Sequence, residues 1–260
     1  MASLNPRLKN FWCDSEGRLI QSRIRVLYGG RASSKSWEFC GRIAQIAQQY
    51  KTRVLCVRRF QNKIKESVYT LIKSQIDNFE LSGYKALASS IENSNGSEFV
   101  FYGIERNIDE IKSFEGADIL YIEEAHNLTR EQWEVLEPTI RKQGSEIWIS
   151  FNPRLITDFI WQNFIVNPPR NSIIRQVNYP DNPFLSDTLK DAIDELKGKD
   201  PDRYAHVYLG KPLSDDDSVV IKRSWVEAAI DFHLKYDGEM RGAKVSGYDV
   251  ADSGEDKNAV

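Results

Sequence analysis

Cysteine is scarce in this 260-residue chain: there are three, Cys13, Cys40 and Cys56, scattered and odd in number, with no CxxC pair. Their spacing excludes a disulfide framework and a cysteine zinc site, leaving buried free thiols as the expected state. Histidine is equally sparse. His126, His206 and His233 have no partner at ligand spacing, and each reads as packed or exposed rather than catalytic. Long apolar runs are missing as well. The longest, such as VLCV and IWISF, are far too short to cross a bilayer, and the start MASLNPRLKNFW carries no apolar secretory core. A soluble, intracellular protein with no membrane segment is expected. Net charge is small: 35 Lys and Arg against 38 Asp and Glu give −3. That balance argues against a protein that coats DNA uniformly, while a local basic patch stays compatible with it. Internal repeats and low-complexity tracts are absent.

What is present is patterned. Hydrophobic residues make up 41% of the chain, enough to fill the core of one large α/β domain, or of one domain plus part of another. IRVLY (24–28) reads as a strand running straight into Gly29-Gly30, where residues without Cβ let the chain turn sharply. A helix follows from Ser36 to Tyr50, with Trp37, Cys40, Ile43, Ala44 and Ala47 at helical spacing. TRVLCVRR (52–59) is a second buried strand. KIKESVYTLIKSQIDNF is a second helix, with Ile64, Val68, Leu71, Ile72 and Ile76 on one face, and Asn95-Gly96 marks a hairpin between two β-prone arms. DILYIEEA (118–125), EIWISFNP (146–153) and SIIRQVNY are further apolar strands, and a helix begins near Asn127 or Thr129. Strands separated by helices predict an α/β fold with a mostly parallel central sheet flanked by helices. Its ligand crevice lies at the carboxyl ends of the strands. Ser36, Glu123, Glu124, Ser150 and Asn152 all fall at such ends. Beyond Gly210, RSWVEAAIDFHLKY places Trp225, Ala228, Phe232 and Tyr236 on one helical face, as in a small linker subdomain.

The stretch GGRASSKS (29–36) departs from the phosphate-loop pattern G-x-x-x-x-G-K-[ST] at one place, where Ser34 stands instead of the second glycine. In such a loop consecutive backbone N–H groups wrap phosphates, the lysine adds a point charge, and the hydroxyl coordinates Mg²⁺. Gly29, Gly30, Arg31, Ala32, Ser33, Ser34, Lys35 and Ser36 are therefore the candidate ATP-binding residues, with Ser36 a candidate Mg²⁺ ligand. An apolar strand that ends on Glu123 and Glu124 strengthens the reading. Glu123 would serve the metal, and Glu124 would orient or deprotonate an attacking water. Asn152 would sense the γ-phosphate or the water, and Arg31 would offset charge that develops on the γ-phosphate.

Taken together, GGRASSKS, CVRRFQNKIKESV, IKSFEGADILYIEEA, PTIRK, WISFNP, VNYPDNPFL and YLGKPL resemble the ATPase half of tailed-phage large terminases, the DNA-packaging motor subunits. Order and spacing match across roughly residues 20 to 225, which is far more specific than the loop alone. The resemblance implies a P-loop NTPase of ASCE type. Arg31, Lys35 and Ser36 belong to its Walker A loop, Glu123 and catalytic Glu124 to Walker B, and Ser150 and Asn152 to its coupling motif. VSGYDVADSG resembles the first strand of the family's RNase H-like nuclease domain, with Asp249 as its metal-binding aspartate. Two-metal hydrolysis needs several carboxylates, so Asp249 alone would not assemble that site. The organisation this implies is an ATPase domain over 1–212, a linker subdomain over 213–242, and the first strand of a truncated nuclease domain over 243–260. Implied cofactors are ATP and Mg²⁺. Implied partners are double-stranded DNA, a portal protein, the small terminase subunit and further copies in a homo-oligomeric ring, in the host cell cytoplasm. Arg106, Lys112 and Arg141 are candidates for a charge donated to a neighbouring subunit, and the segment Asn5 to Phe11 and RRFQN for adenine contacts. Two other readings stay open: a helicase-like ATPase, and a nucleotide-binding switch or scaffold with little turnover.

Overall fold

The computed structural model describes residues 3–105, 108–112, 114–214, 221 and 223–235. The chain divides into two compact units, Met1–Asp216 and Asp217–Val260. In chain order the first unit carries α1 (Lys9–Trp12), β1 (Ile24–Tyr28), α2 (Lys35–Gln49), β2 (Arg53–Arg58), α3 (Gln61–Ile64), α4 (Thr70–Asn78), β3 (Tyr84–Ala86), β4 (Ser90–Asn93) and β5 (Glu98–Gly103). It continues with α5 (Ile108–Ile111), β6 (Ile119–Glu123), α6 (Arg130–Thr139), β7 (Glu146–Phe151), α7 (Phe159–Trp161), β8 (Ser172–Gln176), α8 (Asp187–Lys199) and α9 (Pro201–Leu209).

Eight strands form one sheet in the order β3-β4-β5-β2-β6-β7-β1-β8. The last six of that order run parallel, and the two antiparallel pairings, β3 with β4 and β4 with β5, lie at one edge, so that β4 alone is reversed. Parallel strands joined by helical crossovers must be covered on both faces, so they read as continuous apolar runs. All five residues of β6 are buried. Their side chains alternate between two cores. Cys56, Tyr121 and Trp148 point to the face that α2 covers, with Phe39, Ile43 and Trp12. Leu55, Leu120, Ile122 and Ile149 point to the other, with Leu136 and Phe164. Cys40 and Cys56 are buried thiols, and Cys13 is half-buried.

Local chemistry sets several boundaries. Thr129 caps α6 in a reciprocal box: its hydroxyl accepts from the Gln132 N–H at 3.3 Å, and the Gln132 side chain accepts from the Thr129 N–H at 3.2 Å. For α9, Asp200 accepts from the Arg203 N–H, Pro201 takes the first helical position, and Gly210 ends the helix at φ 64. Inside the sheet, Arg25 is almost fully buried, paired with Glu146 at 2.7 Å and lying over the Trp12 ring at 5.1 Å.

The structure adds to the sequence reading in two places and corrects it in a third. The expected helix through residues 63–79 is present, continuously helical from Gln61 to Asn78, with a wider π-helical stretch over Lys65–Tyr69 between α3 and α4. The Asn95-Gly96 hairpin, β4 with β5, gains an additional edge strand, β3. The expected single helix of the linker is two short ones, α10 (Arg223–Ala229) and α11 (Phe232–Lys235), broken where Asp231 turns left-handed at φ 56. Tyr236, Asp249 and the expected nuclease strand lie outside the described residues.

Candidate nucleotide-binding site

The parallel order places the carboxyl ends of β1, β6 and β7 side by side, and a sheet of this kind opens a crevice there. β1 enters the loop at Gly29, whose φ of 140 favours glycine and where an added Cβ would sit 2.1 Å from the Val177 carbonyl oxygen. Ala32 and Ser34 follow, both left-handed, at φ 62 and 64. This is the conformation the pattern's glycine normally supplies, and Ser34 adopts it with a side chain attached. The N–H groups of Ala32 through Ser36 donate to no other backbone or side-chain group among the described residues. They lie at the N-terminus of α2, where partial positive charge gathers, so the loop offers an anion a row of unused donors.

Lys35 is 6% exposed and folds back on the loop. Its ammonium donates to the Gly30 carbonyl and the Ser33 hydroxyl at 2.7 Å each, and to the Gly29 carbonyl at 3.1 Å. Burial lowers its pKa to about 7. A phosphate arriving at the loop supplies the counter-charge that these carbonyls lack.

Glu123, the last residue of β6, sits opposite Ser150 of β7 in the sheet register. It is buried and accepts from the Ser67 hydroxyl at 2.9 Å. Burial raises its pKa, opposed by hydrogen bonds from Ser67 and Ser36 and by the Arg58 charge. Ser36 therefore lies near Glu123. Among the described residues no cluster of three or more His, Cys, Asp or Glu exists to form a closed metal cage. A hydroxyl beside one carboxylate suits a hard cation that takes its remaining ligands from phosphate and water, as Mg²⁺ does. Glu124 turns left-handed at φ 51 and leaves the sheet. Its side chain is 52% exposed and is held by Arg58 from the end of β2, whose Nε donates to it at 3.1 Å and whose Nη2 also contacts it.

These elements line a cleft of about 680 Å³. Arg31, Ala32, Ser33, Ser34, Lys35, Ser36, Glu124 and Asn152 all reach its wall. Ser150 does not: it is buried beneath, hydrogen-bonded to the Tyr121 hydroxyl at 2.9 Å. The cleft also contains residues that the sequence pattern does not place there: His126, Arg154, His206 and Val207. His126 follows Glu124 in a short 3-10 turn, and its Nδ1 is buried with no partner among the described residues. Burial lowers its pKa. The Val207 carbonyl accepts from the Arg31 N–H at 2.7 Å, docking the end of α9 on the loop.

Other candidates lie elsewhere. Phe11 is in the core, and the side chain of Asn5 is spent on contacts within the chain. In RRFQN, Arg58 holds Glu124 while Arg59 pairs with Glu105 at 2.7 Å. Arg141 is exposed and pairs with Glu115, Lys112 is exposed and off the cleft wall, and Arg106 is outside the described residues.

A family model described as phage terminase large subunit matches residues 21–211, a span that holds every cleft residue named above. The large terminase subunit of Bacillus phage SPP1 is 28% identical over 206 residues, covering 72% of this chain and 48% of that protein. The PBSX phage terminase large subunit of Bacillus subtilis (strain 168) is 24% identical over 234 residues, covering 80% of this chain and 52% of that protein. The chain thus spans about half the length of these two relatives. In fold it is similar to the large terminase of a thermophilic bacteriophage, with a TM-score of 0.68 at 14% identity over 81% of this chain and 54% of that one. It is also similar to the Thermus phage P74-26 large terminase ATPase domain, with a TM-score of 0.52 at 14% identity over 72% of this chain and 87% of that one. The large terminase of the thermophilic bacteriophage has also been solved with ADP and with ATP-γ-S. The chain belongs to the phage terminase large subunit family.

Proposed function

We propose that this chain is the ATP-hydrolysing part of a viral DNA-packaging motor. The observation that carries the reading is the cleft itself. On one wall stand unused N–H donors, Lys35 and Ser36 at a helix N-terminus; on another stands Glu124 just past the end of the acidic strand β6, which β7 separates from β1. The structures of the thermophilic phage's terminase with ADP and ATP-γ-S support a nucleotide as the ligand of this cleft.

The β- and γ-phosphates of ATP lie along the N–H groups of residues 32–36, and Lys35 swings from the loop carbonyls to the phosphate oxygens. Ser36 and Glu123 would hold a bound Mg²⁺, which would supply positive charge to offset that on the phosphate oxygens. Glu124 accepts the proton of the attacking water, which requires its ion pair with Arg58 to open. Arg31 and Arg154 lie at the cleft as cations for the charge that develops on the transferred phosphoryl group, and Asn152 orients the water. Ser150, bonded to Tyr121 behind that wall, couples β7 to β6.

The wider reading follows the family. Residues 1–212 are the motor, 213–242 a linker and 243–260 the beginning of a nuclease domain to which Asp249 would contribute a metal ligand. The motor works as a ring of copies with a portal protein and a small terminase subunit in the host cytoplasm, moving double-stranded DNA held through its backbone phosphates. No helix among the described residues is long and apolar enough to cross a membrane.

Two variants separate binding from chemistry. Lys35→Ala should abolish ATP binding, whereas Glu124→Gln should bind ATP and hydrolyse it at least about a hundredfold more slowly, as loss of a general base does. Wild-type turnover by the glutamine variant would remove Glu124 from that role.

A further inference from the structure

The loop's departure from its pattern needs a structural answer, because Ser34 holds a backbone conformation that a residue with a Cβ disfavours. Three asparagines supply one. The Asn178 side-chain oxygen accepts from the Gly30 N–H at 2.8 Å. The Asn182 amide donates to the Ala32 carbonyl at 2.8 Å. The Asn5 amide donates to the Ser34 hydroxyl at 3.2 Å. Every second residue of the loop, 30, 32 and 34, is thus gripped from outside by one asparagine.

The grips are themselves fixed. Asn5 is 3% exposed, and its side chain also donates to the Asp181 carbonyl at 2.8 Å and accepts from the Arg7 N–H at 3.0 Å. The Asn178 N–H donates to the Asp181 carboxylate at 2.9 Å, and the Asn182 side chain accepts from the Phe184 N–H at 2.9 Å. None of the three lines the cleft, so none is placed to touch a nucleotide. Asn182 and Asn5 touch the pair of left-handed residues, Ala32 and Ser34, that turns the loop's N–H groups inward, the geometry by which a backbone concavity receives an anion, and Asn178 holds Gly30 at the loop's entry.

We propose that Asn5, Asn178 and Asn182 are positioning residues that brace the 29–36 loop in its phosphate-receiving shape. In this brace the Asn5 amide on the Ser34 hydroxyl offsets the cost of serine at the pattern's glycine position. The proposal deepens the nucleotide-site reading and rests on it for the role of the shape. Apparent affinity scales with the fraction of molecules whose loop is already formed, so loosening the brace weakens binding without changing a ligand contact. With glycine at position 34 the left-handed turn is intrinsically accessible, and there is no hydroxyl for Asn5 to grip. The dependence on Asn5 should then fade.

The test is an ATP titration on the full chain in two backgrounds, wild type and Ser34→Gly, each variant compared with its own parent. Asn5→Ala is expected to weaken ATP binding about tenfold in the serine background, the worth of one to two hydrogen bonds, and less than about threefold in the glycine background. Asn182→Asp, an isostere that turns a donor toward the Ala32 carbonyl into a repelling oxygen, should weaken binding at least as much with an unchanged melting temperature. Equal losses from Asn5→Ala in both backgrounds, or none in the serine background, would overturn the brace. Lys35→Ala in the same titration judges the site reading separately, since retained affinity there means that the nucleotide binds elsewhere. Amide hydrogen exchange of the ligand-free chain then decides the brace without a nucleotide. Asn178→Ala should speed exchange of the loop amides that are hydrogen-bonded to other segments, Gly29 to the Phe151 carbonyl and Arg31 to the Val207 carbonyl, while β1 and the core of α2 stay protected, and unchanged exchange at those two amides would refute it.

Discussion

Gly30→Ala is the substitution whose cost the geometry fixes best. The last turn of α9 lies directly on the loop, so a Cβ built on Gly30 would stand 2.0 Å from the Tyr208 carbonyl oxygen and 2.1 Å from its carbon. The obstacle is backbone, which no rotamer change can move aside. From the other side, a Cβ on Gly210 would meet the Gly29 Cα at 2.5 Å. Relieving the clash requires the two segments to part by more than about an ångström, which breaks the 2.7 Å bond from the Arg31 N–H to the Val207 carbonyl. Overpacking of this kind costs roughly 1–3 kcal/mol, and the lost hydrogen bond about 1 more, so about 3 kcal/mol is expected. At roughly 2–4 °C per kcal/mol for a unit of this size, the melting temperature should fall by about 10 °C. Differential scanning fluorimetry measures it. A variant melting within about 2 °C of wild type would show that α9 is not packed on the loop as described, and the place of His206 and Val207 in the cleft would fall with it.

Two further substitutions test the frame around the site. Gly198 is a glycine inside α8 with nothing within 4 Å of an added methyl, so Gly198→Ala should stabilise the chain by about 0.5–1 kcal/mol, read as a rise in denaturant midpoint. Arg25→Met removes the buried cation of a partly buried ion pair and leaves the Glu146 carboxylate with the Trp148 indole N–H but no counter-charge; urea unfolding should show a loss of about 3 kcal/mol, and a neutral result would mean that the pair is dispensable.

Much of the site was legible because its chemistry is local. IRVLY, the loop and the start of α2 are contiguous, and the acidic pair ends an unbroken apolar strand, so pattern and spacing place both at strand ends. The brace was not legible. Asn178 and Asn182 are brought to the loop because β1 pairs with β8, and Asn5 is anchored beside it through its N–H on Glu38 of α2, contacts that no local pattern of these segments reveals. The same holds for His126 and Arg154, whose side chains reach the cleft through the turns after β6 and β7. For α9 a signal existed: Asp200-Pro201 is a helix start, with Gly210 as its stop, although its docking on Gly30 is a tertiary fact. The linker helix failed at Asp231 for a related reason. A helical apolar spacing runs across residues 225–236, and the left-handed turn that breaks it leaves that spacing intact.

A packaging ATPase must release phosphate, and must do so through this cleft. Phosphate release from ATP and Mg²⁺ by the purified chain, with and without duplex DNA, beside Lys35→Ala and Glu124→Gln, tests that directly. Turnover that duplex DNA increases, and that both substitutions abolish, is the expected result. Nucleotide binding with no phosphate release under either condition, or release that survives both substitutions, would contradict it.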